Sequence, residues 1–80
     1  MQNHKDEILL KAIARCVKKV RLSKNLSQEE VYLDTEIHCG RLEQGKQNVT
    51  VCTLKRLCDY FQISLSDFFK EIEEQEHSSH

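Results

Sequence analysis

Three times in this chain a hydroxyl residue stands just before an apolar run with helical spacing, and these junctions constrain the fold more than any other feature. In Leu26-Ser27-Gln28-Glu29-Glu30-Val31, Ser27 can accept from first-turn amides while Glu30 reaches back to Ser27. Leu26 and Val31 can close over that start as a hydrophobic staple. In Ile63-Ser64-Leu65-Ser66-Asp67-Phe68 the same parts recur, with Asp67 as a shorter substitute for the glutamate and Ile63/Phe68 as the staple. Thr50 precedes the stripe Val51, Leu54, Leu57, Cys58 and Phe61, with Val49 and Leu54 as its staple pair. Capping chemistry and apolar period agree at each junction, and such agreement across levels marks an element.

Two more helices complete the pattern. Ile8/Leu9, Ala12/Ile13, Cys16/Val17 and Val20 recur every three to four residues, which predicts an amphipathic first helix over residues 6–24, stopped at Asn25. A shorter helix is expected within residues 35–44, ended by Gly45, because glycine takes the left-handed conformation past a helix C-terminus without strain. Proline is absent, and the only glycines are Gly40 and Gly45; a sheet protein would need more turn punctuation. The expected fold is all-α: a compact five-helix domain over residues 1–74, with residues 75–80 as a frayed polar tail.

Size and composition remove several function classes. Eighty residues make one domain with one modest core. No apolar run approaches the roughly 20 residues that span a bilayer, so no membrane association is expected. The segment from Met1 to Glu7 is polar throughout and resembles no secretory signal, which points to the cytoplasm. No nucleophile–base pair and no glycine-rich phosphate loop are evident, so an enzyme is not expected and no cofactor is implied. Cys16, Cys39, Cys52 and Cys58 contain no Cys-x-x-Cys spacing, and only His38 lies near one of them. They read as reduced thiols, three of them in the core, in preference to a zinc site or a disulfide framework.

The net charge is −1, but its distribution is uneven. Lys11, Arg15, Lys18, Lys19, Arg21 and Lys24 form a run without an acid, whereas Asp67, Glu71, Glu73, Glu74 and Glu76 gather at the other end. On charge alone, each run is better explained by a solvated helix face.

The residues also carry a likeness. The segment from Leu26 to Val31 resembles the opening of helix 2 in phage repressor/Cro-type (Xre) helix-turn-helix proteins. Arg41-Leu42-Glu43-Gln44-Gly45-Lys46-Gln47-Asn48 resembles the end of their recognition helix and the loop beyond. Residues 50–65 are similar to their helix 4 and the start of helix 5. The likeness spans residues 8–70 and implies a repressor-like DNA-binding domain whose helix-turn-helix is formed by helices 2 and 3. From Ser27 to Gly45 the chain is a few residues shorter than the usual pattern, around Asp34-Thr35-Glu36, and so resembles a shortened-turn subgroup.

This resemblance implies a site for double-stranded DNA, in which phosphate contacts set position and base contacts carry sequence. Gln28 matches a phosphate-holding position at the first turn of helix 2, although a plain first-turn polar residue is the simpler alternative. Lys46, Gln47, Asn48 and Thr50 resemble the second phosphate clamp. With Cys39 and Leu42 directed inward, Glu36, His38, Gly40 and Arg41 are left for base reading. Arg41 suits a guanine edge or a phosphate, His38 a base acceptor or a phosphate, and Glu36 a cytosine amine. Gly40 would permit close approach to DNA, or equally close helix–helix packing. Glu43 matches an acid that pairs with a helix 1 arginine, here Arg21, in a structural ion pair. Cys58 stands where the family holds a small core residue, and Cys52 where it holds exposed polar ones.

The function expected from the resemblance is a sequence-specific transcriptional regulator acting as a homodimer. Phe68, Phe69 and Ile72 offer more apolar surface than one helix face would hide, and are expected to form the dimer interface. The alternative is an antitoxin-type module that binds a toxin partner and represses its own operon.

Overall fold

A computed structural model describes residues 3–78 and shows five helices and no strands among them. Helix α1 spans His4–Ser23. It starts before the expected residue 6 because Asn3, in extended conformation, accepts a hydrogen bond from the Asp6 N–H at 2.9 Å. The apolar period begins only at Ile8, so this cap left no trace in the hydrophobic pattern. Asn25, at φ 58°, turns the chain out of the helix.

Helix α2 spans Gln28–Thr35 behind the expected capping box. The Glu30 N–H donates to Ser27 Oγ, and the Ser27 N–H donates to Glu30 Oε1, both at 3.0 Å. Helix α4, Val51–Phe61, is capped by Thr50 Oγ1, which accepts from the Thr53 N–H at 3.1 Å. Helix α5, Leu65–Ser78, is capped by Ser64 Oγ, which accepts from the Asp67 N–H at 3.0 Å. The tail expected to fray from residue 75 continues this helix, and Gln75 holds Arg15 of α1 through Nε at 3.0 Å. Residues 79 and 80 of that expected tail lie outside the described residues.

The segment between α2 and α4 departs most from expectation. Helix α3 occupies Cys39–Leu42, a single turn inside the expected residues 35–44. Thr35 belongs to α2: its hydroxyl donates to Val31 O at 2.7 Å and accepts from the Ile37 N–H at 3.1 Å. Glu36 then adopts the left-handed conformation at φ 63°, which ends α2 before α3 can begin. The far end of α3 tightens through Gln44 N–H to Arg41 O and Gly45 N–H to Leu42 O, and Gly45 leaves at φ 69°.

Leu10, Ile13, Cys16 and Val17 of α1 meet Val31, Ile37 and Cys39, the inner face of α4, and Phe68 and Ile72 of α5 in one core. Phe68 and Ile72 are 2% and 0% exposed. The interface expected from Phe68, Phe69 and Ile72 is corrected accordingly. Phe68 and Ile72, four apart, lie on the α5 stripe that packs inward, and only Phe69 keeps partial exposure. Cys16, Cys39 and Cys58 are buried and Cys52 is exposed; all four are free thiols. Burial pushes the Cys16 and Cys39 thiols up to about 11, so they stay protonated. No helix among the described residues is long and apolar enough to cross a membrane.

The packing of α5 on α1 also changes the meaning of the charge pattern. Lys19 pairs with Glu71, and Arg15 bonds both the side chain and the backbone oxygen of Gln75. The basic and acidic runs, distant in sequence, are partly opposed in space.

Candidate nucleic-acid interface

Each end of the α2–α3 segment is fixed from outside. At the α3 end, Arg21 of α1 donates through Nε and Nη2 to the two Glu43 oxygens at 2.8 and 2.9 Å. Its Nη1 donates to Leu26 O at 2.8 Å, so one guanidinium ties α1, the α1–α2 turn and the end of α3. The hydrogen bond to Glu43 raises the Arg21 pKa further, against the opposing effect of burial. At the α2 end, two side chains of α4 reach across. Arg56 Nη2 donates to Thr35 O at 2.7 Å, and Tyr60 Oη donates to Asp34 Oδ2 at 2.5 Å.

Between these anchors runs a shallow groove of about 320 Å³. Its lining brings together Glu36, His38 and Arg41 with Gln47, Asn48 and Thr50 from the following loop, and adds Thr53 and Arg56 of α4. Six of the residues singled out in the sequence therefore share one surface. Arg41 is exposed and its guanidinium has no partner among the described residues, so all its donors face outward. His38 precedes α3, and its ring stacks on Tyr32 with centroids 4.3 Å apart and planes inclined by 27°. That stack orients the imidazole without consuming its nitrogens. Glu36 is exposed at the left-handed turn. Thr50 Oγ1 is engaged as the α4 cap, and Asn48 Oδ1 accepts from the Val49 N–H at 2.9 Å, leaving the Asn48 amide donors.

Lys46, Gln28 and Gly40 do not line the groove. Lys46 is exposed on the loop immediately before Gln47. Gln28 donates through Nε2 to Glu43 Oε1 at 3.0 Å, so its amide is turned toward the Arg21–Glu43 pair. Gly40 packs against Gln28, the second of the two readings open for it. A Cβ built there would stand 3.1 Å from Gln28 Oε1, so the space left by the missing side chain is filled by α2. The close approach that Gly40 permits is that of α2 to α3.

Sequence reasoning missed Tyr32, Tyr60 and Arg56. Arg56 and Tyr60 are four apart on one face of α4, Arg56 exposed and Tyr60 partly buried at the edge of the core. That shared face was visible in the sequence; its proximity to α2 is a tertiary fact.

Two short helices joined by a tight left-handed turn, with the Arg41 guanidinium on the second and amide donors on the loop after it, define a DNA-binding helix-turn-helix domain. A helix-turn-helix family model matches residues 17–68, well over half of the chain. The protein belongs to this Xre-like helix-turn-helix family. Neither a curated protein nor a solved structure matches the chain.

Proposed function

We propose that the protein is a sequence-specific transcriptional regulator that acts in the cytoplasm as a homodimer, with no catalytic step. Each subunit sets α3 and the turn before it into the major groove of one half-site. The observation that carries this reading is the shared groove, which gathers Arg41, His38 and Glu36 beside Gln47, Asn48 and Thr50. Arg41, free of internal partners, is the principal base reader, and its planar fork matches the O6/N7 edge of guanine. Because α3 is only one turn long, Glu36 and His38 read from the turn that leads into it. The loop amides and Lys46 hold the phosphate backbone. Gln28 supports the fold from beneath while it bonds Glu43, and its second amide proton is left for a phosphate. The glycine-free reversal at Glu36 supports assignment to a shortened-turn subgroup.

Dimerisation follows from the small footprint of one helix-turn-helix, which two half-sites about one helical turn apart would double. With Phe68 and Ile72 in the core, Phe69 is the α5 residue left for that contact. The test is selection of bound duplexes from a random pool, followed by footprinting. Enrichment of a pseudo-palindrome is expected; a pool that stays random would remove the sequence-specific reading. Sedimentation should show a dimer on the selected site and a folded monomer for Phe69→Asp. A wild-type monomer on that site would remove the dimer.

A further inference from the structure

We propose that Arg56, on α4 and outside the helix-turn-helix proper, is a DNA-phosphate contact that also pins the reading turn. This rests on the DNA-binding reading above and adds a contact to it. Arg56 Nη2 donates to Thr35 O at 2.7 Å, the carbonyl of the last α2 residue. A cation at that end complements the negative pole of the helix. The next residue is Glu36 at φ 63°, so Arg56 holds the chain where it reverses into the reading surface. No glycine stands at this turn to take the left-handed conformation, and an external grip does part of that work.

One hydrogen bond does not exhaust the side chain. A guanidinium has five N–H donors in a planar fork, and the carbonyl takes one of them. Arg56 is exposed and lines the groove beside Glu36, Arg41, Thr50 and Thr53. Two of the three nearby acids are engaged elsewhere: Asp59 accepts from Lys55 Nζ at 2.8 Å, and Asp34 accepts from Tyr60 Oη at 2.5 Å. Arg56 has no carboxylate partner among the described residues, so its charge is not held in an ion pair. The groove also contains Glu36, whose carboxylate repels a phosphate, and a neighbouring arginine offsets that repulsion. An arginine suits the double task better than a lysine, because its fixed fork can hold a carbonyl on one edge and a phosphate oxygen on another.

The test is the dependence of DNA affinity on salt, measured on a random-sequence duplex with wild type, Arg56→Met and Arg56→Lys. Each phosphate contact contributes about 0.9 to the slope of log affinity against log salt. Arg56→Met is expected to lower the slope by about that amount, and Arg56→Lys to retain it. A purely structural arginine would alter the melting temperature and leave the slope intact, so an unchanged slope in folded Arg56→Met overturns the proposal. If Arg56→Met does not fold, the Nε–Hε resonance of Arg56 in isotope-labelled wild type decides. Its displacement on adding DNA supports the contact, and a resonance that stays fixed at saturation overturns it. Wild type without salt-dependent DNA binding would instead overturn the functional reading, and this contact with it.

Discussion

Arg21 and Glu43 form a bidentate ion pair whose side chains are 8% and 6% exposed, joining the end of α1 to the end of α3. Burial of both charges makes the pair a modest net stabiliser and a severe point of failure. Removing one partner leaves the other charged, desolvated and unpaired. Arg21→Ala should therefore destabilise the fold by about 3–5 kcal/mol in urea unfolding. A loss under about 1 kcal/mol would mean that water reaches Glu43 freely.

Arg41 and Lys46 are expected to fail differently. Arg41→Ala should abolish preference for the selected site while the circular-dichroism spectrum remains helical. Lys46→Ala should weaken binding to all duplexes and reduce the salt slope by about one unit. Undiminished discrimination in Arg41→Ala would remove it as a reader, and an unchanged slope would remove Lys46 as a phosphate contact.

The two glycines separate conformational need from spatial need. Gly45 sits at φ 69°, and a Cβ there would stand 3.4 Å from both Ala14 Cβ and Lys11 Cα. Gly45→Ala should cost about 1–2 kcal/mol from the left-handed backbone alone. Gly40 is helical, and its added Cβ would meet only the end of the flexible Gln28 side chain. The gain in helix propensity, up to about 1 kcal/mol, is set against the lost Gln28–Glu43 bond, so Gly40→Ala should be nearly neutral. Comparison of their thermal melts checks this, and equal losses would contradict it.

Tyr60 gives the fold an alkaline limit. Its hydrogen bond to Asp34 pushes the phenol from 10.0 up to about 12. A folded-state pKa above the unfolded one means that the native state holds the proton more tightly. The stabilisation is therefore complete below pH 10 and is lost as pH rises toward 12. Ultraviolet titration should place the Tyr60 phenolate near pH 12 in wild type and at a lower pH in Asp34→Ala. Coincident titrations would show that the bond does not persist in solution.

Local chemistry explains what the sequence disclosed. Ser27, Thr50 and Ser64 announce their helices because a cap and its amide lie within three residues of each other. The split of residues 35–44 between α2 and α3 was not legible. Glu36 carries no glycine-like signal, and the group gripping Thr35 is Arg56, distant in the chain. The burial of Phe68 and Ile72 was missed for a related reason: it depends on how α5 lies on α1 and α4. The groove residues were nameable through family likeness, but Gly40 and Gln28 proved to face each other.

The opposition of α1 and α5 bears on how the protein would find DNA. Lys19 is neutralised by Glu71, and the chain as a whole carries a net charge of −1. Seen from beyond a Debye length of roughly 10 Å, such a molecule offers a polyanion little attraction. Its encounters are then close to unguided, and idle attachment along random sequence is brief. On the proposed reading, occupancy of a site would depend on how long the docked complex survives, a lifetime set within the groove where Arg41 stands.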